Sequence, residues 1–565
     1  MKKFIFPSIV VMTAVLTSCG SKLGPLSAEY FTCTPQVLET VGGQVPVTIS
    51  GTFPEKYMKK KAVVTVTPVL KYAGGEVKGE AATFQGEKVE ANNQAIPYKV
   101  GGNYTMKSSY TYLPAMAKSE LYLQFNAKVG KKQVEVPEVK IADGVIATSE
   151  LVGQTLSGAT TDQSSDAFQR VIKQAQEANI LFLINRAELR AKELKSASVK
   201  GLKEQMSKIN SDSTLKVDNI ELSAYASPDG EKKFNEKLAI SREKNTQKYL
   251  KGEMKKQKFE GSVDSKYTAE DWEGFQNLVS KSNVQDKDLI LRVLSMYQDP
   301  EQREREIRNL STVYGTLADE ILPQLRRSRL TLNYEIIGKS DAELSQLAAS
   351  NAKSLTLEEL LYAATLTEDA SKKDAIYKSV VAQYPTDYRA YNNLSSLAYQ
   401  DGDYAAAANY ANQAAKLNGS AAEVKVNQAL VALKKGDAVT AERLLGNATS
   451  SKVAGEALGN LYLTQGKYQQ AVASFGDTKT NSAALAQILT NDYNKAKQTL
   501  DAVNHKDAYT SYLGAILAAR TNNASSALTN LKDAISQDSS LAQKAATDLE
   551  FSKLFSNSAF QSLVK

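Results

Sequence analysis

The chain has 565 residues, of which 42% are apolar and 23% charged, and 69 Lys and Arg against 62 Asp and Glu leave a net charge of +7. At roughly 100–200 residues per domain, this length predicts about three to five domains, and so thin a charge excess argues against nucleic acid as a partner. A single histidine, His505, and two cysteines, Cys19 and Cys33, exclude imidazole triads, multi-histidine zinc sites and a disulfide framework. An enzyme built from this chain would work with carboxylates, hydroxyls, Lys or Arg; no cofactor or metal is expected.

Lys2 and Lys3 precede an apolar run from Phe4 to Leu16. At about 1.5 Å per residue the run is too short for a ~30 Å hydrocarbon core and reads as a signal segment. It ends in Leu16-Thr17-Ser18-Cys19-Gly20. This resembles the lipobox of bacterial lipoproteins, which implies removal of residues 1–18 and lipidation of Cys19, with 19–35 as a linker. Several acyl chains, at about 0.8 kcal/mol per buried methylene, would hold the mature chain on a membrane. No acidic cluster follows Cys19; set against Bacteroidetes-type envelopes, this implies a periplasm-facing anchor in the outer membrane. Cys33 reads as a small buried apolar residue.

Residues 36–150 carry β-branched and aromatic runs, such as Ala62 to Thr67 and Leu121 to Phe125, separated by turn pairs such as Gly42-Gly43 and Gly74-Gly75. They predict an antiparallel β-sandwich, which reads as a spacer.

Residues 165–340 alternate helix and strand. Ala167 to Glu177 reads as an amphipathic helix, Ile180 to Ile184 as a short buried strand and Val199 to Ile209 as a helix. A strand over Leu215 to Tyr225, a long helix over Phe234 to Met254 and a closing strand over Leu330 to Ile337 follow. The joint Ala224-Tyr225-Ala226-Ser227-Pro228-Asp229-Gly230, then Phe234-Asn235, Leu238 and Ser241-Arg242, resembles the signature of OmpA-like peptidoglycan-associating domains, as does Asn185-Arg186-Ala187-x-Leu189 upstream. The resemblance implies an α/β sandwich gripping the diaminopimelate of the peptidoglycan stem peptide. That zwitterion needs a carboxylate for its ammonium and a guanidinium for its carboxylate. Arg242 fills the family's Arg position; Ser227 stands at its Asp position, Asp229 lies two residues on, and Asn185 and Asn235 match pocket positions. An insertion over 255–329 departs from the family. Within it Trp272 reads as a core anchor, and the cluster Arg326, Arg327 and Arg329 as a solvated face.

From Leu355 to about 540 the chain is Ala-rich with helical period. Leu458-Gly459-x-x-Tyr462-x-x-x-Gly466-Lys467-Tyr468-x-x-Ala471-x-x-x-Phe475 is the best of several copies, with turn glycines at Gly402, Gly436 and Gly466. This resembles the tetratricopeptide (TPR) repeat and implies an all-α solenoid whose concave face holds a peptide or partner protein. Residues 541–565 read as a tail, and His505 as a solvated residue between repeats.

The chain therefore reads as a multidomain, non-enzymatic outer-membrane lipoprotein that binds partner proteins through its repeats. The alternatives are a peptidoglycan tether and a hydrolase with two carboxylates about 5–9 Å apart, for which no motif is present.

Overall fold

The computed structural model describes residues 23–565; the signal segment and the first residues of the linker, 19–22 with Cys19, lie outside the described residues. Residues 166–368 form one compact unit, and the described part of 1–165 with 369–565 forms another. Among the described residues no helix is long and apolar enough to cross a membrane.

The N-terminal part is a sandwich of two sheets. One is three-stranded, in the order β1 (Phe31–Thr34), β3 (Gln44–Phe53) and β8 (Gly102–Thr111). The other runs β2 (Val37–Glu39), β10 (Lys132–Ile146), β9 (Ser119–Val129), β4 (Ala62–Tyr72), β6 (Ala82–Gly86) and β7 (Gln94–Ile96), with β5 (Gly75–Lys78) also on β4. The period-2 pattern points Val45, Val47, Ile49 and Phe53 of β3, and Tyr104, Met106 and Tyr110 of β8, into the core. Gly51 lets the Tyr104 ring cross its strand: a Cβ there would stand 2.3 Å from the ring. The sandwich is not wholly antiparallel, because β2 pairs parallel with β10 and β7 parallel with β6. It also begins before residue 36, since Leu23, Leu26 and Phe31 are buried in its core. Cys33 is partly buried there, and desolvation pushes its thiol up to about 11.

The α/β unit has a four-stranded sheet in the order β11 (Val171–Leu181), β14 (Arg327–Ile337), β12 (Leu215–Tyr225) and β13 (Ser262–Thr268). Helices α1 (Ala197–Ser211) and α2 (Lys232–Gln257) pack on it through Val199, Leu202, Met206, Leu250 and Met254, against Ile180, Ile220, Leu222, Leu330 and Leu332. Three expectations are corrected. Residues 171–177 are strand, not helix: β11 pairs with β14 throughout but is an edge strand exposed over its first half, so no buried face advertised the period of two. The strand ends at Leu181, and Leu183 and Ile184 are exposed. Residues 262–268 belong to the sheet, as β13 parallel to β12, so the insertion is shorter than 255–329. It holds α3 (Trp272–Lys281), α4 (Lys287–Met296), α5 (Pro300–Asn309) and a further helical run over 311–325 around its own core of Phe275, Val279, Ile290, Leu294, Leu317 and Leu325. Trp272 is half-buried against that core. Helices α6 (Asp341–Ser350) and α7 (Leu357–Thr365) complete the unit, each opened by a capping box.

The remaining helices are α8 (Ala370–Gln383) and then pairs: α9 (Tyr388–Gln400) with α10 (Tyr404–Asn418), α11 (Ala422–Lys434) with α12 (Ala438–Leu445), α13 (Ala454–Thr464) with α14 (Tyr468–Phe475), α15 (Asn481–Leu489) with α16 (Tyr493–Asp501), and α17 (Ala508–Arg520) with α18 (Ala524–Gln537). Each pair turns on a left-handed residue: Gly402, Gly436, Gly466, then Asn491 and Asn522. Asn tolerates that conformation, which is why the last two copies lack the glycine signal. Buried alanines, including Ala407, Ala441, Ala471, Ala496 and Ala527, let the paired helices close up. Residues 541–565 are not a tail. They fold as α19 (Ser540–Ala545), a 3-10 turn (Leu549–Leu554) and α20 (Ser558–Leu563), and bury Phe551 and Phe560 in the core of the last repeats. His505 is exposed.

Candidate functional site

Two sites emerge, one in each unit. The first is the loop between β12 and α2. Gly230 has φ of +123°, which favours glycine, and its N–H donates to Glu304 Oε1 at 2.7 Å. Asn235, 3% exposed, ties the loop by donating from Nδ2 to the carbonyls of Ser227 and Gly230, both at 3.2 Å. Arg326 donates from Nε to Ser227 Oγ at 3.3 Å and from Nη2 to Asp229 Oδ2 at 3.2 Å. Asp229 Oδ1 is buried with no partner among the described residues. The void beside it, against Pro228, Trp272, Glu304 and Tyr314, is about 10 Å³, roughly the space of one water.

Arg242 is fully buried and turned toward the main chain. Nε donates to Arg186 O at 3.0 Å, Nη1 to Tyr225 O at 2.8 Å and Nη2 to Leu183 O at 3.3 Å, with Phe182 under the guanidinium at 5.0 Å. Burial, and secondarily Arg326, bring it down to about 10, so it keeps its charge at neutral pH. Ser227, Asp229 and Asn235 are thus brought together, Arg242 lies beneath them on the carbonyls, and Asn185 sits on an exposed left-handed turn.

The arginine cluster at the head of β14 is not a solvated face. Arg326 holds the loop, Arg327 pairs with Asp271 at 2.9 Å, and Arg329 donates to the Tyr225 hydroxyl at 3.0 Å. Both Arg327 and Arg329 lie over the Tyr225 ring. These ties satisfy charges that the sequence alone presented as a run. Arg326 is the residue that sequence reasoning left out of the site; its place at the head of the closing strand was the available signal.

The second site is the concave face of the repeats. Residues 148–165, between the sandwich and the α/β unit, run along it. Asp162 donates its N–H to Asn427 Oδ1 at 2.9 Å and accepts from Asn427 Nδ2 at 2.7 Å. Ser164 does the same with Asn393, at 2.8 and 3.0 Å. Thr160 N–H donates to Glu456 Oε1 at 2.8 Å. Alternate residues of an extended segment are therefore gripped by the first helices of three successive pairs, α13, α11 and α9. Asn393 and Asn427 each stand nine residues before their turn glycine. Ser482, nine before Asn491, bonds Thr155 at 3.0 Å.

The first half of the segment is held differently. Leu151 and Leu156, each 1% exposed, enter the repeat cores. Tyr399 donates to Leu156 O at 2.6 Å and Lys434 to Gly153 O at 2.8 Å. Thr148 bonds Glu550, whose carboxylate is also held by Arg520, and Ser149 bonds Thr40 of the sandwich. The concave face is thus filled by the chain itself, where a partner's peptide was expected. Asn460 Oδ1, six residues before Gly466 as Ser396 is before Gly402, is buried with no partner among the described residues; Ser396 bonds Thr161 of the segment. Among the described residues no group of three or more His, Cys, Asp or Glu could hold a metal ion.

No family model matches the chain, and no curated protein matches it. Several solved structures are similar to part of it. A tetratricopeptide repeat protein from Parabacteroides merdae is 14% identical over 40% of this chain and 89% of that one, with a TM-score of 0.28. Pseudomonas aeruginosa PilF is 15% identical over 38% and 99%, with a TM-score of 0.27. The type IV pilus biogenesis factor PilW is 13% identical over 40% and 98%, with a TM-score of 0.26. The repeat architecture itself rests on the helix pairs and turns described above.

Proposed function

We propose that this chain is a non-enzymatic scaffold of a bacterial envelope, anchored to the outer membrane by lipid on Cys19 and facing the periplasm, which binds other proteins through its TPR-like repeats. Its α/β unit, of the OmpA-like kind, faces the cell wall. The observation that carries the scaffold reading is the ladder of Asn393, Asn427 and Glu456 along the repeats, a surface built to hold a polypeptide main chain. Crosslinking in intact cells followed by mass spectrometry tests it: crosslinks from the repeat helices to other envelope proteins are expected, and crosslinks only within the chain would overturn it. Labelled palmitate should enter the wild-type chain and not Cys19→Ser, which should leave the membrane fraction.

A peptidoglycan tether is the second reading. Asp229 supports it, because its carboxylate faces Arg326 and keeps one buried oxygen without a partner. That pair of charges suits a zwitterionic amino-acid end, although Glu304 and Trp272 of the insertion close the space beside it. Sedimentation with isolated sacculi tests the tether, with Asp229→Asn as the variant. Arg242 is the wrong probe, because its donors are spent on the fold.

A further inference from the structure

We propose that the concave groove is a receptor for extended main chain whose occupant, residues 158–165, is exchangeable: a partner polypeptide with an extended segment of small polar residues displaces them and takes the same ladder. This rests on the scaffold reading and names both the surface and the kind of partner.

The two halves of the internal segment are held by different forces. Residues 148–157 are anchored by side chains, with Leu151 and Leu156 inside the repeat cores. Residues 158–165 bury only the small Ala159, Thr161 and Ser164, while Thr160, Gln163 and Ser165 are exposed. This half is held mainly through its backbone N–H and C=O groups on Glu456, Asn427, Asn393 and Asn392. Main-chain bonds of this kind are offered by any residue except proline, so another extended chain can make them equally well. Side-chain specificity comes from three residues: Thr161 with Ser396 and Gln400, Asp162 with Ser451, and Ser164 with Glu423 and Asn392. They favour small hydroxyl and acidic residues.

The resident segment also leaves the groove incompletely satisfied. Asn460 is fully buried, and its side-chain oxygen accepts nothing among the described residues. A buried acceptor left unpaired is destabilising, so an occupant that brings an N–H to it binds the groove better. The internal segment holds its place against such a partner by its high local concentration, on the order of millimolar for a tethered peptide. Affinity for a partner is reduced by the fraction of time the ladder is closed.

The test uses the full chain and a fluorescent peptide with the sequence of residues 158–165. Replacing Asp162 and Ser164 together by proline removes two ladder donors and keeps the segment extended. This variant should bind the peptide at least about tenfold more tightly than wild type. Adding Asn393→Ala and Asn427→Ala should abolish binding, as should N-methylation of the peptide at the two ladder positions. No gain over wild type in a variant with wild-type circular dichroism overturns the proposal. So does concentration-dependent dimerisation of the variant, which would assign the groove to a second copy.

If the proline variant fails to fold, hydrogen exchange on the wild-type chain decides. The amides of Thr160, Asp162 and Ser164 should exchange at least about tenfold faster than those in the middle of α9 and α11. Exchange at the same rate means the segment never leaves its groove without unfolding the repeats. Failure here with positive crosslinks in cells would discard the groove as the docking surface and leave the scaffold standing.

Discussion

Arg242 behaves as a rivet. Its three bonded carbonyls come from residues 183, 186 and 225, so one guanidinium closes the loop after β11 onto the end of β12. Arg242→Ala strands the buried carbonyl of Tyr225 and two part-buried ones, of Leu183 and Arg186, and a buried acceptor left unmade costs about 1–3 kcal/mol; we expect a loss of about 2 kcal/mol or more in the α/β unit, measured by urea unfolding. Arg242→Lys should recover little of it, because an ammonium cannot span the same fork. Glu456 illustrates a different balance. Burial is the larger influence and raises its carboxyl above the ordinary 4.5, while the Thr160 N–H opposes the rise. The folded chain therefore keeps this proton at a pH where the unfolded chain has lost it. The stability Glu456 contributes is complete below the ordinary value and falls as pH rises past it. Glu456→Gln retains an acceptor for Thr160 without a buried charge, so melting should be raised at pH 7 and little changed at pH 4. The sequence brought Ser227, Asp229, Asn235 and Arg242 into one neighbourhood through their spacing around a strand-to-helix joint. It could not tell whether Arg242 pointed at a ligand or at carbonyls, because that depends on where a loop 56 to 59 residues upstream comes to rest.

Helix pairs and their turns were the most legible elements, because glycine and alanine at fixed offsets have a direct steric cause. A Cβ on Gly436 would meet nothing within 4 Å, yet its φ is +79°. Gly436→Ala should therefore lose about 1–2 kcal/mol from backbone conformation alone, read as a lower urea midpoint with an unchanged slope. Elements whose stability comes from distant partners were illegible. β11 has exposed side chains along half its length and is a strand because β14 pairs with it. Residues 159–165 lack periodicity altogether, and their conformation is imposed by asparagines more than 200 positions later. The recurring Asn393 and Asn427, one repeat apart, were the only local sign that something extended lies there. Leu156→Ala should destabilise the repeats by about 2–5 kcal/mol, the usual cost of emptying a buried leucine site, seen as an earlier thermal transition in differential scanning calorimetry.

At the scale of the molecule, the sandwich and the repeats share contacts through one ordered segment. Thr40 meets Ser149, and Thr148 meets Glu550, which Arg520 also holds. This argues that the two parts lose structure together although a 203-residue unit, 166–368, separates them in sequence. Leu151→Ala combined with Leu156→Ala should lower the melting of both by the same amount and leave the α/β unit's transition in place, as followed by hydrogen exchange resolved along the chain. The arrangement also dictates an order of manufacture. Leu151 and Leu156 leave the ribosome long before the helices that enclose them. At about 5–20 residues per second, the roughly 240–400 residues still to be made take on the order of 12–80 s. For that interval two bare leucines travel without their host, so the newborn polypeptide needs either a chaperone's grip on that stretch or a pace of translation quick enough to outrun sticking.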